Sequence, residues 1–263
     1  MDLIDAIRNR RTTNGPFKLD PVSKAHQHLL IEAASRAPSH FNSQPWRFIL
    51  IEDPTIRQKI AAIGGRTMTQ LFAEGRFFRR YRKYFRFSQQ EMEEKQDGIY
   101  IDTMPTPLRP FIKQVFNEKA LGLLNTLGVP KLLGNDNMKL VANSPLLLAV
   151  LLTKEEYVPE DLSGFYCLLS LGMAIENIWL TTTSLGMGIQ FVSTPMEVPE
   201  AWQEINTLLK VPPELELMVI YRLGYLPDEA DKVRPRIDWQ SKQRRTLTRL
   251  AFRDTCEQTE PVE

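Results

Sequence analysis

Residues 37–50 read APSHFNSQPWRFIL. A small polar run, Ser39 to Gln44, gives way at Pro45 to WRFILI, a segment that is aromatic or apolar apart from Arg47. A short apolar run bounded by turn residues is a buried strand. The run before it is a loop, because Ser and Asn side chains bond their own backbone in turns and the residue ahead of a proline is pushed out of helical geometry. Hydroxyls, an imidazole and two carboxamides at the mouth of a buried strand have two uses. They are an Asx-type turn and cap, or they are donors and acceptors suited to the edge of a bound heterocycle. These residues alone leave both open. Trp46 opens the apolar strand and belongs to the core.

Upstream, Leu3, Ile4 and Ile7 fall at helical spacing, and the pattern stops at RRTTNGP, where Asn14, Gly15 and Pro16 disfavour helix. Ser23 to Arg36 sets Leu29, Leu30, Ala33 and Ala34 on one face of a second helix, ended by Pro38. Downstream, residues 55–87 read as helical with a break at Gly64-Gly65, and residues 89–137 are interrupted by Pro105, Pro107, Pro110 and Pro130. SPLLLAVLL (144–152) is a strand, and GFYCLLSLGMAIENIWLTTTSLGMG (164–188) is a long apolar helix buried in the core or in an interface. IQFVSTP follows as strand or loop, then a short helix around Ala201–Leu209 and a last strand in ELELMVIYRLGYLP. Strands near 46–52, 146–152, 188–193 and 215–225 among dominant helices predict an α+β layer architecture. The expectation is a single domain over 1–263, with a variable lid or insertion region at about 66–140.

The 263 residues, 43% hydrophobic, suffice for a sizeable core. Thirty-three basic against 32 acidic side chains leave a formal charge of +1, so no global field draws nucleic acid or an anionic membrane. Cys167 and Cys256 are too few for a disulfide framework or zinc cluster. The first residues lack a long apolar stretch, and PLLLAVLL is far shorter than a membrane span, so the chain reads as cytoplasmic.

Local chemistry is sparse. Arg10, Arg11, Thr12 and Thr13 could hold a phosphate through forked charge-assisted bonds, as could Arg234 and Arg236 if the two groups converge; each pair alone is an ordinary surface feature. His26, His28 and His40 have no metal-binding spacing, so no metal is expected. SLGMGIQF contains Gly-x-Gly, but after a helix instead of opening one, which is poor support for a dinucleotide fold. RFFRRYRKYFRF (76–87) interleaves bases and aromatics; on a helix Phe77, Tyr81 and Tyr84 share one face and the bases another, which fits inward packing better than nucleic-acid binding.

Taken together, AIRNRRTTNGPF, APSHFNSQPWRFIL, SLGMGIQFVSTPME and LGYLPDEADKVRPR, in this order across most of the chain, resemble the nitroreductase family of FMN-dependent oxidoreductases. The resemblance implies a central, mostly antiparallel sheet wrapped by helices in an intertwined homodimer, with FMN at the interface. It puts Arg10, Arg11, Thr12, Arg234 and Arg236 around the flavin phosphate, and Pro38, Ser39, His40 and Asn42 on the flavin from the other subunit, while Gln44 touches the ring or supports the loop. Ser193, Thr194, Pro195, Met196 and Glu197 would face the isoalloxazine, with the Glu197 amide as donor to N5, where hydride arrives and leaves. The implied activity is a ping-pong cycle in which NAD(P)H gives hydride and an electron-poor acceptor such as a nitroaromatic or quinone then takes the same place, with no side-chain nucleophile. Flavin destruction, dehalogenation or heterocycle oxidation on the same fold is the alternative, as is a non-catalytic flavin or protein-binding module. Asn14 departs from the family pattern: it stands where a base near flavin N1 is common and supplies a neutral dipole in its place, unless another base compensates.

Overall fold

The computed structural model describes residues 1–100, 120–228, 243–253 and 255. Arg234, Arg236, Cys256 and positions 101–119 of the expected insertion lie outside the described residues. In chain order the elements are α1 (Leu3–Asn9), α2 (Lys24–Ser35), β1 (Trp46–Ile51), α3 (Pro54–Ala73), α4 (Arg76–Tyr81), β2 (Phe85–Arg86), α5 (Gln89–Lys95), β3 (Ile99–Tyr100), α6 (Leu121–Thr126), α7 (Val129–Ala142), β4 (Leu146–Thr153), α8 (Leu162–Ser184), β5 (Met187–Phe191), α9 (Pro199–Leu208) and β6 (Leu215–Tyr225). They fall into two compact units, Met1–Gln70 with Pro130–Val233, and Leu71–Val129 with Arg234–Glu263.

The first unit contains all four expected strands, in the order β1-β4-β6-β5, with every neighbouring pair antiparallel. β4 is central, and Leu146 to Leu152 are all buried, which is why its sequence shows no alternation: a strand covered on both faces has no polar side to display. Its even-numbered residues join Trp46, Ile189, Tyr221 and Leu223 in a core packed against Leu30 and Ala34 of α2 and Leu171, Ala174 and Ile178 of α8. Helix starts follow their caps. Asp2 accepts from Asp5 N at 2.9 Å, Ser23 from His26 N at 3.2 Å, and Asp161 from Leu162 N at 2.6 Å.

The glycine pair in α3 does not break the helix, which runs unbroken from Pro54 to Ala73. The glycines serve a close helix crossing: a Cβ on Gly65 would lie 2.8 Å from Gly134 O and from Met138 Cβ, and one on Gly134 would overlap Thr69 Oγ1. Nor does helix continue to residue 87. Gly75, at φ 70°, turns the chain after α3, α4 ends at Tyr81, and Phe85–Arg86 form a strand. The strand expected at 188–193 is β5 and stops at Phe191.

α8 has 23 residues and is, among the described residues, long and apolar enough to cross a membrane by length and composition, a length the PLLLAVLL run does not reach. One side of it is built into the core through Cys167, Leu171, Ala174 and Ile178. Other positions, Leu162, Phe165, Leu168, Leu169 and Met173, stay exposed.

In the second unit, β2 pairs parallel with β3, and the 76–87 aromatics pack on one another. Phe77 stacks on Phe72 at 4.2 Å, with Phe78 and Phe85 buried and Tyr84 exposed, so core packing accounts for most of that face. Asp97 is paired with both Arg86 and Arg245, whose hydrogen bonds, Arg245's first, hold its carboxyl below the usual carboxylate range.

Candidate functional site

A polar cluster lies where the N-terminal segment crosses β5 and β6. Gly188 and Gly224 face each other across these strands, and Phe17 lies on the space both leave. A Cβ on Gly188 would reach Phe17 at 2.7 Å and one on Gly224 at 2.6 Å. That explains the second glycine of the Gly-x-Gly, which admits another segment instead of cradling a phosphate; the first, Gly186, takes the left-handed turn at φ 67° that leads into β5. Thr13 N then donates to Ile189 O at 3.1 Å, holding residues 13–17 against the sheet.

Beneath this segment lies Arg222, 1% exposed. Its Nη2 donates to Thr13 O at 2.8 Å and Gly15 O at 2.9 Å, and its guanidinium sits 4.6 Å from the centre of the Phe17 ring. Its Nε donates to Oε1 of Gln190, its cross-strand neighbour, at 2.5 Å, and Gln190 Nε2 donates to Asn14 Oδ1 at 3.0 Å. Nη1 is buried with no hydrogen-bond partner among the described residues, and no carboxylate among them pairs with the guanidinium. Burial pushes its pKa down to about 9, so it remains a cation at neutral pH.

Arg10 and Arg11 follow α1 but point differently. Arg10 Nε lies 3.8 Å from Glu176, with its guanidinium 5.3 Å from the Trp179 ring centre, both on α8. Arg11 turns back onto the carbonyls of Arg8 and Arg10 at 2.8 and 2.7 Å, and Thr12 is exposed beside it.

The 38–44 loop is a tight, unusual turn. Phe41, Asn42 and Gln44 all have positive φ, at 47°, 57° and 47°. It is tied by Gln44 N donating to Ser39 Oγ at 3.0 Å and Asn42 N to Ser39 O at 3.0 Å. Gln44 Nε2 donates to Asn42 Oδ1 at 3.2 Å, so within the chain Gln44 supports the loop. His40 stacks on Tyr166 at 4.2 Å and its N–H reaches Ser170 Oγ at 3.4 Å, both on α8, while Phe41 is 93% exposed and Pro38 and Asn42 are also open. α8 therefore carries the loop near residues 166–170 and Arg10 near 176–179, roughly 14 Å apart along the helix.

After β5 the chain makes a single 3₁₀ turn, Thr194–Glu197, with Ser193 before it. Thr194 Oγ1 is buried 3.1 Å from Thr67 Oγ1 and 3.2 Å from Gly64 O of α3, which locks the turn. Pro195 is buried beside it, while Met196 is exposed and Glu197 half-buried.

The structure thus joins Asn14 to the β5–β6 edge and Thr194 to α3, and keeps Arg10 and the 38–44 loop on separate stretches of one helix. Sequence reasoning missed Arg222, Gln190 and Thr67. The signal for Arg222 was present as the one charge inside the apolar run LMVIYRLGY.

An antiparallel sheet among helices, with a buried apolar strand at its middle and a polar cluster where the N-terminal segment crosses β5 and β6, defines an α+β protein. The sequence matches the nitroreductase family over residues 7–225, and the chain belongs to that family of flavin oxidoreductases. It is 31% identical over 70 residues to YdgI of Bacillus subtilis strain 168, which carries an NAD(P)H nitroreductase assignment; the match spans 27% of this chain and only 34% of YdgI. Iodotyrosine deiodinase of Thermotoga neapolitana is 24% identical over 236 residues, 90% of this chain and 95% of the relative. Among solved structures, a BluB-like flavoprotein from Clostridium difficile 630 superimposes with a TM-score of 0.56 at 19% identity, covering 96% of this chain and 98% of that one. Iodotyrosine deiodinase bound to FMN and 3-iodo-L-tyrosine gives 0.51 at 20% identity, covering 89% and 94%.

Proposed function

We propose that this chain is an FMN-dependent oxidoreductase that takes electrons from NAD(P)H and passes them to an electron-poor acceptor of the nitroaromatic or quinone type. The observation that carries the reading is the polar cluster itself, a buried cation and an amide relay on β5 and β6 with a locked 3₁₀ turn following β5 in the chain, in a member of this family. The residues fit the cofactor. Asn14 Nδ2 has no hydrogen-bond partner among the described residues and is a ready donor; Arg10 and Arg11 bring positive charge for a phosphate, which would draw Arg10 from Glu176 and Arg11 from its own backbone carbonyls. Arg234 and Arg236, which the family resemblance sets at the phosphate, lie outside the described residues.

Bound FMN supplies two-electron hydride chemistry; the chain binds it, orients it and tunes it. Thr67 and Gly64 hold the turn from Ser193 to Glu197 in one conformation, so that the Glu197 amide is the candidate donor toward N5. Separation of Arg10 from the 38–44 loop along α8 supports a site completed between two copies. Pro38, Ser39, His40 and Asn42 of one copy then serve the cofactor held by the other's Arg10, while Gln44 braces the loop. The exposed apolar positions Leu3, Ile4 and Ile7 of α1 and Leu162, Phe165 and Leu169 of α8 are the surface such a homodimer would cover.

A second reading keeps the flavin and changes the acceptor to a halogenated phenol. What favours it is that a deiodinase is among the relatives matched over nearly the full length, whereas the match to YdgI covers about a third of that protein. Purified protein, reconstituted with FMN and titrated anaerobically with NADH and NADPH, tests the main reading. A yellow chromophore bleached by either nucleotide is expected; a colourless protein that FMN cannot reconstitute would overturn it. Halide release from 3-iodotyrosine, without turnover of nitro compounds, would select the second reading.

A further inference from the structure

Arg222 is the least expected group in the first unit. A buried cation without a carboxylate partner costs several kcal/mol in principle, and the fold keeps one at the centre of its sheet, against only carbonyl oxygens, an amide oxygen and an aromatic face. Its donors make a directional statement. Arginine has no acceptor, so the Gln190 atom facing it is oxygen; the other end of Gln190 is then NH₂, and the Asn14 atom facing that is oxygen as well. The Nδ2 group of Asn14 is thereby left as the outward end of the chain, a committed donor backed by a full positive charge two side chains away. A lone asparagine could turn either end outward. This one cannot without breaking the bond to Gln190.

We infer that Arg222 is a positioning residue that, through Gln190, fixes Asn14 as a hydrogen-bond donor to the cofactor atoms that gain electron density on reduction, the N1 and O2 edge of a flavin. The inference rests on the flavin reading above. It also answers the departure at position 14: the compensating base is one strand inward, buried in the sheet. Placing the charge behind two amides favours the electron-rich reduced cofactor over the oxidised one and exposes no cation at the position of Asn14.

The decisive variant is Gln190→Glu. A carboxylate there gives Arg222 a counter-ion and cannot donate to Asn14, so Asn14 turns its NH₂ inward and presents oxygen outward. The fold is retained or stabilised, and oxidised FMN binds within a few-fold of wild type. Reduced FMN should weaken at least tenfold relative to oxidised, read as a fall of about 30 mV in the two-electron midpoint potential by anaerobic spectroelectrochemistry. Arg222→Met carries the same expectation through loss of the charge. A ratio of reduced to oxidised affinity changed less than twofold in a folded, flavin-loaded variant would overturn the inference and leave the flavin reading standing. A wild-type protein that takes up no FMN would overturn both. Failure of both variants to fold would assign Arg222 to the framework instead.

Discussion

β4 and β6 are hydrogen-bonded neighbours in the middle of one sheet, and they are built on opposite terms. From Leu146 to Leu152, β4 has no polar side chain and nothing exposed; β6 alternates its core residues Leu217, Tyr221 and Leu223 with Arg222 and Gly224, which face the N-terminal segment. Apolar burial is worth about 25 cal/mol per Å² and needs no partner, so a strand like β4 stabilises the fold whatever lies beside it. A buried guanidinium costs stability unless its surroundings are built for it. Apolar packing and the buried charge thus occupy adjacent strands, and the charged strand is the one that pairs with β5, the strand leading into the Thr194–Glu197 turn.

This division can be broken by experiment. The largest effect is expected at β4: Leu148→Ala should cost about 2–5 kcal/mol in urea unfolding, while the molecules that remain folded bind FMN as before. Flavin loss from folded protein would show that the two strands are not independent. Next, Gly134→Ala drives a methyl into Thr69 Oγ1 and to 2.5 Å from Gly65 O, and should destabilise by about 1–3 kcal/mol by the same measurement. Because α3 also carries Thr67 and Gly64, this variant should disturb the 194–197 turn, visible as a changed flavin absorption spectrum. Thr67→Val removes the hydroxyl that meets Thr194 and should cost about 1 kcal/mol, with FMN affinity falling several-fold in a fluorescence titration. An unaltered affinity would mean the turn is held by Pro195 and backbone alone. The smallest effect belongs to the loop: Phe41→Gly relieves a left-handed residue with little buried surface to lose, and should raise thermal stability by up to about 1 kcal/mol.

The sequence made the four strands legible because each is a short apolar run between turn residues, and α2 and α8 legible because their caps and periodicity agree. Their order in the sheet was not legible, since β4 and β6 are paired across more than 60 residues and either could have been an edge. Gly64-Gly65 misled because a glycine pair lowers helix propensity whether or not another helix needs the space, and only Gly134 on α7 decides the matter. At the site, the APSHFNSQPW loop stood out by composition, but composition left a turn and a ligand edge equally open, and Gln44 bonding Asn42 within the chain is one of the two uses it allowed. Arg222 did not stand out. One charge in an apolar strand reads as a solvent-facing residue until the partner strand is known, and the Gln190 that accepts its hydrogen bond lies 32 positions away.

The bonds from Arg222 to Thr13 and Gly15 span 209 and 207 residues of chain. At a synthesis rate of about 5–20 residues per second, the N-terminal segment emerges roughly 10–40 s before the strand that receives it. Phe17 and the polar turn before it must wait through that interval without their sheet. The edge where Thr13 and Gly15 meet Arg222 is therefore closed late in synthesis, after α2, β1, β4, α8 and β5 have been made.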